Sequence, residues 1–219
     1  MSMVRAMIWK EIHSFLHDWK TLATVGLLLL WVLFYLVLSH GLSFVGLNIG
    51  LATLSMFLVA SVSNTLTWKS FLYERAENAL TSVLASPISV AELFLGKTLA
   101  VFLFSYLPLL VVAVAACAAG IGTNELPDAS SLAMALLAVP VWGLAVSEIM
   151  GALCFVLGSF DLVRWLGGGL CLGVSGITYA ISGHAQGVWP ALAMTAVGLA
   201  VAVAVLVLFS KVSKPRLAR

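Results

Sequence analysis

Charge is scarce in this sequence: 9% of its 219 residues are Asp, Glu, Lys or Arg, and 62% are hydrophobic. Ordinary soluble domains carry about 25% charged and roughly 45–50% apolar residues. No charge stands between Lys20 and Lys69, and none between Lys97 and Glu125. A globule of this composition has too few polar groups to cover its surface, which excludes a water-soluble fold and implies an integral membrane protein. Cysteine is scarce as well. Cys117, Cys154 and Cys171 stand alone in apolar runs, without a CxxC pair or metal-ligand spacing, and read as small packing residues. A secretory leader is not evident: the first apolar run starts near Thr21, is too long for a signal-peptide core and lacks a small-x-small cleavage site.

What is present is a succession of long apolar runs. At about 20 residues per spanning helix, the sequence predicts six: 21–39, 42–67, 98–120, 131–158, 165–182 and 190–210. Turn chemistry separates them, as in His40-Gly41, "GIGTNELPDASS" (120–131) and "SGHAQGVWP" (182–190). The second and fourth runs exceed the minimum and should tilt or kink, with Pro140 the obvious kink site in the fourth. With six spans, all eleven Lys and Arg residues fall on one face. The opposite face holds His40, Glu125, Asp128 and His184. The excess of Lys and Arg marks the first face, with both termini, as cytoplasmic. The expected organisation is one all-α domain: an interfacial helix over 1–20, spans one and two over 21–67, a cytoplasmic segment over 68–97, spans three to six over 98–210, and a basic tail over 211–219.

In the N-terminal segment Val4, Ile8, Ile12, Phe15, Leu16 and Trp19 recur at helical spacing, with Arg5, Glu11, His13, Ser14, His17 and Asp18 around the rest. Such a helix is expected to lie in the interface plane with its apolar side in lipid, as an anchor or packed against the first cytoplasmic connection. That connection carries the chain's densest local signal. Ala76, Ala79, Leu80, Val83 and Leu84 make one apolar stripe, with Glu74, Arg75, Glu77, Asn78, Thr81 and Ser82 on the remaining circumference. The helix should stop near Ser86, because the residue before Pro87 is pushed out of the α region. A second helix is predicted to start at a capping box formed by Ser89 and Glu92, with Ile88 and Leu93 as a hydrophobic staple, and to run through Gly96 and Lys97 into the third span.

A short amphipathic helix, a sharp corner and a stiff lead into the membrane suit a lever driven by a soluble partner. These residues also carry a resemblance. "ERAENALTSVLASPISVAELFLGK" (74–97) is similar to the cytoplasmic signature of ABC-2-type transporter permeases, through Glu74, Arg75, Leu80, Leu84, Ser86, Pro87, Ser89, Glu92, Leu93, Gly96 and Lys97. Asn78-Ala79 replaces the usual Gly-Thr. Lys10-Glu11 resembles the family's opening, and "VSGITY" (174–179) its fifth-span stretch. The connection after span five departs from the family in lacking a proline-rich, re-entrant segment. The resemblance implies one half of a permease dimer, homomeric or heteromeric, in a cytoplasmic (inner) membrane. It would export a substrate by docking a separate ATP-binding cassette ATPase through Glu74, Arg75, Glu77, Leu80, Leu84, Pro87, Ser89 and Glu92. ATP and Mg would be held by that partner, and this chain would be neither an enzyme nor a nucleic-acid binder. The short six-span form also resembles the haem-exporter B component of cytochrome c maturation.

"AELFLGKT" (91–98) is not a phosphate-binding loop, because Ala91 stands where the first glycine is required and no strand precedes it. Glu148 is the acid inside a predicted span, about 15 Å from the inner end at 1.5 Å per residue. It is either a substrate or cation contact or a protonated group hydrogen-bonded to neighbouring spans. Asn48 and Asn64 are candidate substrate-path residues or interhelical ties. "GLNIG" (46–50) and "GLCLG" (169–173) allow close helix approach. His40 and His184 read as solvated loop histidines, and no catalytic or metal-binding constellation is assigned. The competing classes are an ion-coupled secondary transporter using Glu148 and a membrane-embedded redox subunit.

Overall fold

The computed structural model describes residues 3–40, 44–73, 89–123, 127–157, 160–184 and 187–211, and every regular element among them is helical. The Glu74, Arg75, Glu77, Leu80, Leu84 and Pro87 segment lies outside the described residues. So does most of the basic tail.

Helix α1 (Met3–His17) ends at Asp18, where α2 (Trp19–His40) begins. Asp18 separates them because its carboxylate takes hydrogen bonds from the first free donors of α2, the Lys20 amide (3.1 Å) and the Thr21 hydroxyl (2.7 Å). The chain bends by 79° at this cap. Helix α3 (Phe44–Thr67) runs into a π-helical turn, π1 (Trp68–Tyr73). Helix α4 (Val90–Thr123) is 34 residues long, about 51 Å at 1.5 Å per residue, and continues through Pro108. It outruns a hydrocarbon layer of about 30 Å, and the predicted lead at 90–97 and the third span are one continuous helix. Helix α5 (Ala129–Ala133), a π-turn π2 (Met134–Ala138) and α6 (Val139–Leu157) form the fourth apolar run. There the Val139 amide reaches back five residues to the Met134 carbonyl. A proline at 140 has no amide hydrogen and crowds the preceding turn, and the disturbance expected at Pro140 takes this widened form. Helices α7 (Phe160–His184) and α8 (Trp189–Ser210) complete the bundle.

Five helical stretches among the described residues are long and apolar enough to cross a membrane, and α1 with α2 makes a sixth if the bent pair counts as one span. The chain is therefore an all-helical, multi-pass membrane protein. Helix α3 is the central post, packed against α2, α4, α6 and α7. Glycine sets its closest approaches. A Cβ on Gly143 would overlap Val59, and one on Gly167 would overlap the Asn64 side-chain oxygen and the Met150 methyl. Gly169 and Gly173 of the predicted close-approach motif instead face open space.

The N-terminal helix departs from the predicted stripe. Helix α1 packs on α4, with Met7, Glu11 and Phe15 buried at i, i+4 and i+8. Leu16 and Trp19, expected on the side turned to lipid, are 52% and 71% exposed, whereas the acid Glu11, expected among the polar residues outside that stripe, is only 3% exposed. The reason lies in α4: a buried cation there draws the Glu11 carboxylate inside.

Candidate functional site

Contacts between distant segments gather Asp18, Lys69, Lys97 and Arg164 at one end of the bundle. Two clasps organise this basic end. In the inner one, the Lys97 ammonium, fully buried, donates to Glu11 Oε1 (2.9 Å), to the Ser70 carbonyl (2.7 Å) and to Ser70 Oγ (3.0 Å). Ser70 Oγ in turn donates to Glu11 Oε2 at 2.9 Å. Both carboxylate oxygens and all three ammonium hydrogens thereby have partners, the condition under which a buried ion pair is tolerated. Within π1, the carbonyl and hydroxyl of Ser70 both meet this one ammonium. Gly96 lets α1 cross α4 closely enough for this contact: a Cβ there would lie 2.9 Å from Met7 Cβ.

The outer clasp holds the α1–α2 corner. Lys69 Nζ lies 2.7 Å from Asp18 Oδ2 and also donates to the Ser14 carbonyl at 3.4 Å, near the C-terminus of α1, where a cation complements the helix dipole. The Lys69 hydrogen bond, then those of Thr21 and the Lys20 amide, lower the Asp18 carboxyl from 3.8 to about 2. A group depressed on folding stabilises the fold above its unfolded pKa, and that contribution disappears as pH falls through the folded value. The Asp18 contribution to the corner should therefore be constant above about pH 5 and be lost between about pH 4 and pH 2. Fluorescence of the adjacent Trp19 tests this, with Asp18→Asn as the variant expected to lack the acid transition. Because both side chains are partly exposed, Asp18→Asn should cost no more than about 1 kcal/mol at neutral pH.

Beneath the clasps lies an aromatic stack. Phe94 stacks on Phe209 (centroids 4.5 Å apart) and tilts against Phe71 (5.7 Å), while Lys97 Nζ sits 5.3 Å from the Phe71 ring. Arg164 of α7 lies over Trp68 at 5.7 Å. Gly151 of α6 admits the stack, since a Cβ there would meet Phe94 at 3.0 Å and Phe71 at 3.2 Å. The stack and the Arg164–Trp68 contact join π1, α4, α6, α7 and α8 at one level.

The predicted site residues fall into three groups. Ser89 and Glu92 form the predicted capping box: Ser89 N–H and Oγ–H donate to Glu92 Oε2 (2.9 and 2.7 Å), and Glu92 N–H donates to Ser89 Oγ (3.2 Å). They start α4 as a fixed N-terminus. Asn48 lies at the opposite end of the bundle, where its Oδ1 accepts from the Asp128 amide at 3.0 Å. Asp128 itself caps α5 through the Ser131 amide (2.7 Å). Asn64 and Glu148 are inside the bundle, and neither joins the basic end by a hydrogen bond. Asn64 Oδ1 is buried without a hydrogen-bond partner, as are the hydroxyls of Ser55, Ser63 and Thr67 on the same helix. Glu148 is 2% exposed, one helical turn from Gly151, and its Oε2 has no hydrogen-bond partner. Ser147 bonds the Leu144 carbonyl of its own helix at 2.8 Å.

Sequence reasoning missed the Glu11–Ser70–Lys97 triad. The available signal was Lys97 itself, a charge set at the start of an uninterrupted apolar run and therefore in need of a nearby acid. Among the described residues no group of three His, Cys, Asp or Glu side chains could hold a metal ion. No protein-family model matches the chain, and no curated protein matches it.

Proposed function

We propose that this chain is the permease subunit of an ATP-driven exporter of the ABC-2 type, seated in a cytoplasmic membrane with both termini inside. It would work as a homodimer or heterodimer with a separate ATP-binding cassette ATPase that holds ATP and Mg. The observation that carries the reading is the 74–97 sequence pattern. The anchoring of its two roots supports it. One root, π1, is pinned through Ser70 and Lys69 to α1. The other, the Ser89–Glu92 cap, opens a helix that carries Lys97 two turns later and continues across the bundle. A push delivered to the intervening segment would reach α3 and α4 together, because Glu11 and Lys97 bind both to α1. Glu74, Arg75, Glu77, Leu80, Leu84 and Pro87 would form the docking surface, and the haem-exporter B type is a variant of the same reading.

Affinity purification of the tagged chain from its native membrane in mild detergent tests the proposal, with ATP turnover assayed on the eluate. Wild type is expected to retain an ATP-binding subunit in roughly equal amount, and Glu74→Ala/Arg75→Ala to lose it or to alter its turnover. Absence of any ATPase, under conditions that preserve a known complex of this class, overturns the reading.

A second reading rests on Glu148. A buried carboxylate with an unpartnered oxygen in an apolar bundle is costly unless it is protonated or meets a cation. Ion-coupled transport through Glu148, with Asn64 along the path, would need no ATPase. Proton- or cation-driven flux abolished by Glu148→Gln in vesicles without ATP would favour it.

A further inference from the structure

The outer face of α1 combines large apolar side chains with positive charge. Trp9, Leu16 and Trp19 are 68%, 52% and 71% exposed, although α1 packs on α4 through its opposite side. Arg5, His13, His17 and Lys20 are exposed around them. The acids of the same segment are withdrawn: Glu11 is buried against Lys97, and Asp18 is paired with Lys69. The two clasps thus sort charge as well as hold helices, leaving an outward surface that is aromatic and cationic.

The placement of α1 narrows what can cover that surface. It crosses α4 at Gly96–Lys97, where the long uncharged run begins, and it is bent by 79° from α2. A helix turned out of the span direction at the mouth of an apolar run lies at the height of lipid headgroups. Tryptophan is favoured there because its ring is apolar and its N–H is polar, and exposed Arg and Lys complement lipid phosphate.

We propose that the outer face of α1 is a binding surface for anionic phospholipid, with Trp9 and Leu16 in the acyl boundary and Arg5 and Lys20 on the headgroups. The occupant is the charged bilayer surface rather than another protein, because the exposed face offers cations without an uncompensated acid. Trp9 and Leu16 stand seven residues apart on one side of α1, and Trp19 follows at the start of α2, as a lipid boundary running along this corner requires. This inference rests on the membrane character of the chain and is independent of the ATP-driven reading.

The test uses the full chain in vesicles of phosphatidylcholine and phosphatidylglycerol, with bromine on the acyl chains of either lipid at equal mole fraction. The signal of Trp9 is isolated as the difference between wild type and Trp9→Phe. Brominated phosphatidylglycerol is expected to quench Trp9 at least about twofold more than brominated phosphatidylcholine, since each basic residue near the surface contributes to retention of anionic lipid. The preference should vanish in 0.5 M salt, which shortens the screening length to a few ångströms, and in Arg5→Gln/Lys20→Gln. Equal quenching by both lipids overturns the anionic preference. Quenching by neither overturns the lipid surface itself and assigns this face to a protein partner. The salt comparison is made on wild type, so it stands even where the double variant fails to fold.

Discussion

Replacing Lys97 by Met is expected to lower the unfolding free energy by about 3–5 kcal/mol, because it breaks a buried ion pair by removing one partner. Met keeps an unbranched stem as far as Cε and lacks only the ammonium, so most of the loss comes from what is left behind. Glu11, 3% exposed, would lose its countercharge, and the Ser70 carbonyl would lose a donor at 2.7 Å. Thermal unfolding in detergent, followed by a tertiary-structure probe, gives the measurement. The decisive comparison is the double variant Glu11→Gln/Lys97→Met. Removing both charges leaves no isolated ion in the interior, so the double variant should be clearly more stable than the sum of the single losses requires. Strict additivity would mean that the two groups are not coupled, and the inner clasp would have no energetic meaning. If the proposed function is correct, Lys97→Met should also weaken the response of ATP turnover to substrate, because α1, π1 and α4 would no longer move as a unit.

Adjacent glycines on α7 should respond oppositely to the same substitution. Gly167→Ala is expected to destabilise by about 1–3 kcal/mol, because the new methyl would overlap Asn64 Oδ1 and the Met150 methyl, and helices α3, α6 and α7 meet there. Gly168→Ala and Gly169→Ala place their methyls where nothing lies within 4 Å. Each should be neutral or stabilising by up to about 1 kcal/mol, from the helix preference of Ala over Gly. Parallel unfolding curves for the three variants check the prediction. Equal destabilisation at 168 would place another surface against that side of α7.

Much of the architecture was legible because it depends on local chemistry. Apolar runs about 20 residues long have to be helical in lipid, where each backbone polar group must find its partner within the segment. The Ser89–Glu92 box needs residues only three apart, and it forms as the spacing predicts. Pro140 announced a disturbance without announcing its kind, since whether a helix kinks or widens into a π-turn depends on the neighbours that receive the freed carbonyl. The burial of Glu11 on α1 was missed for a related reason. Helical spacing ranks residues by polarity, and Glu11 ranks as exposed until its partner is known. That partner lies 86 residues along the chain.

Sequence alone determined the solvent of this protein, the approximate places of its apolar helices and the start of α4, because composition and short spacings govern all three. Tertiary structure decided which charges are buried, which glycines are indispensable and which side of α1 faces outward. Gly167 and Gly168 are chemically identical neighbours, and Glu11 and Asp18 are both acids of one short segment. What separates the members of each pair is the surface that packs against them, and only the assembled bundle supplies that surface.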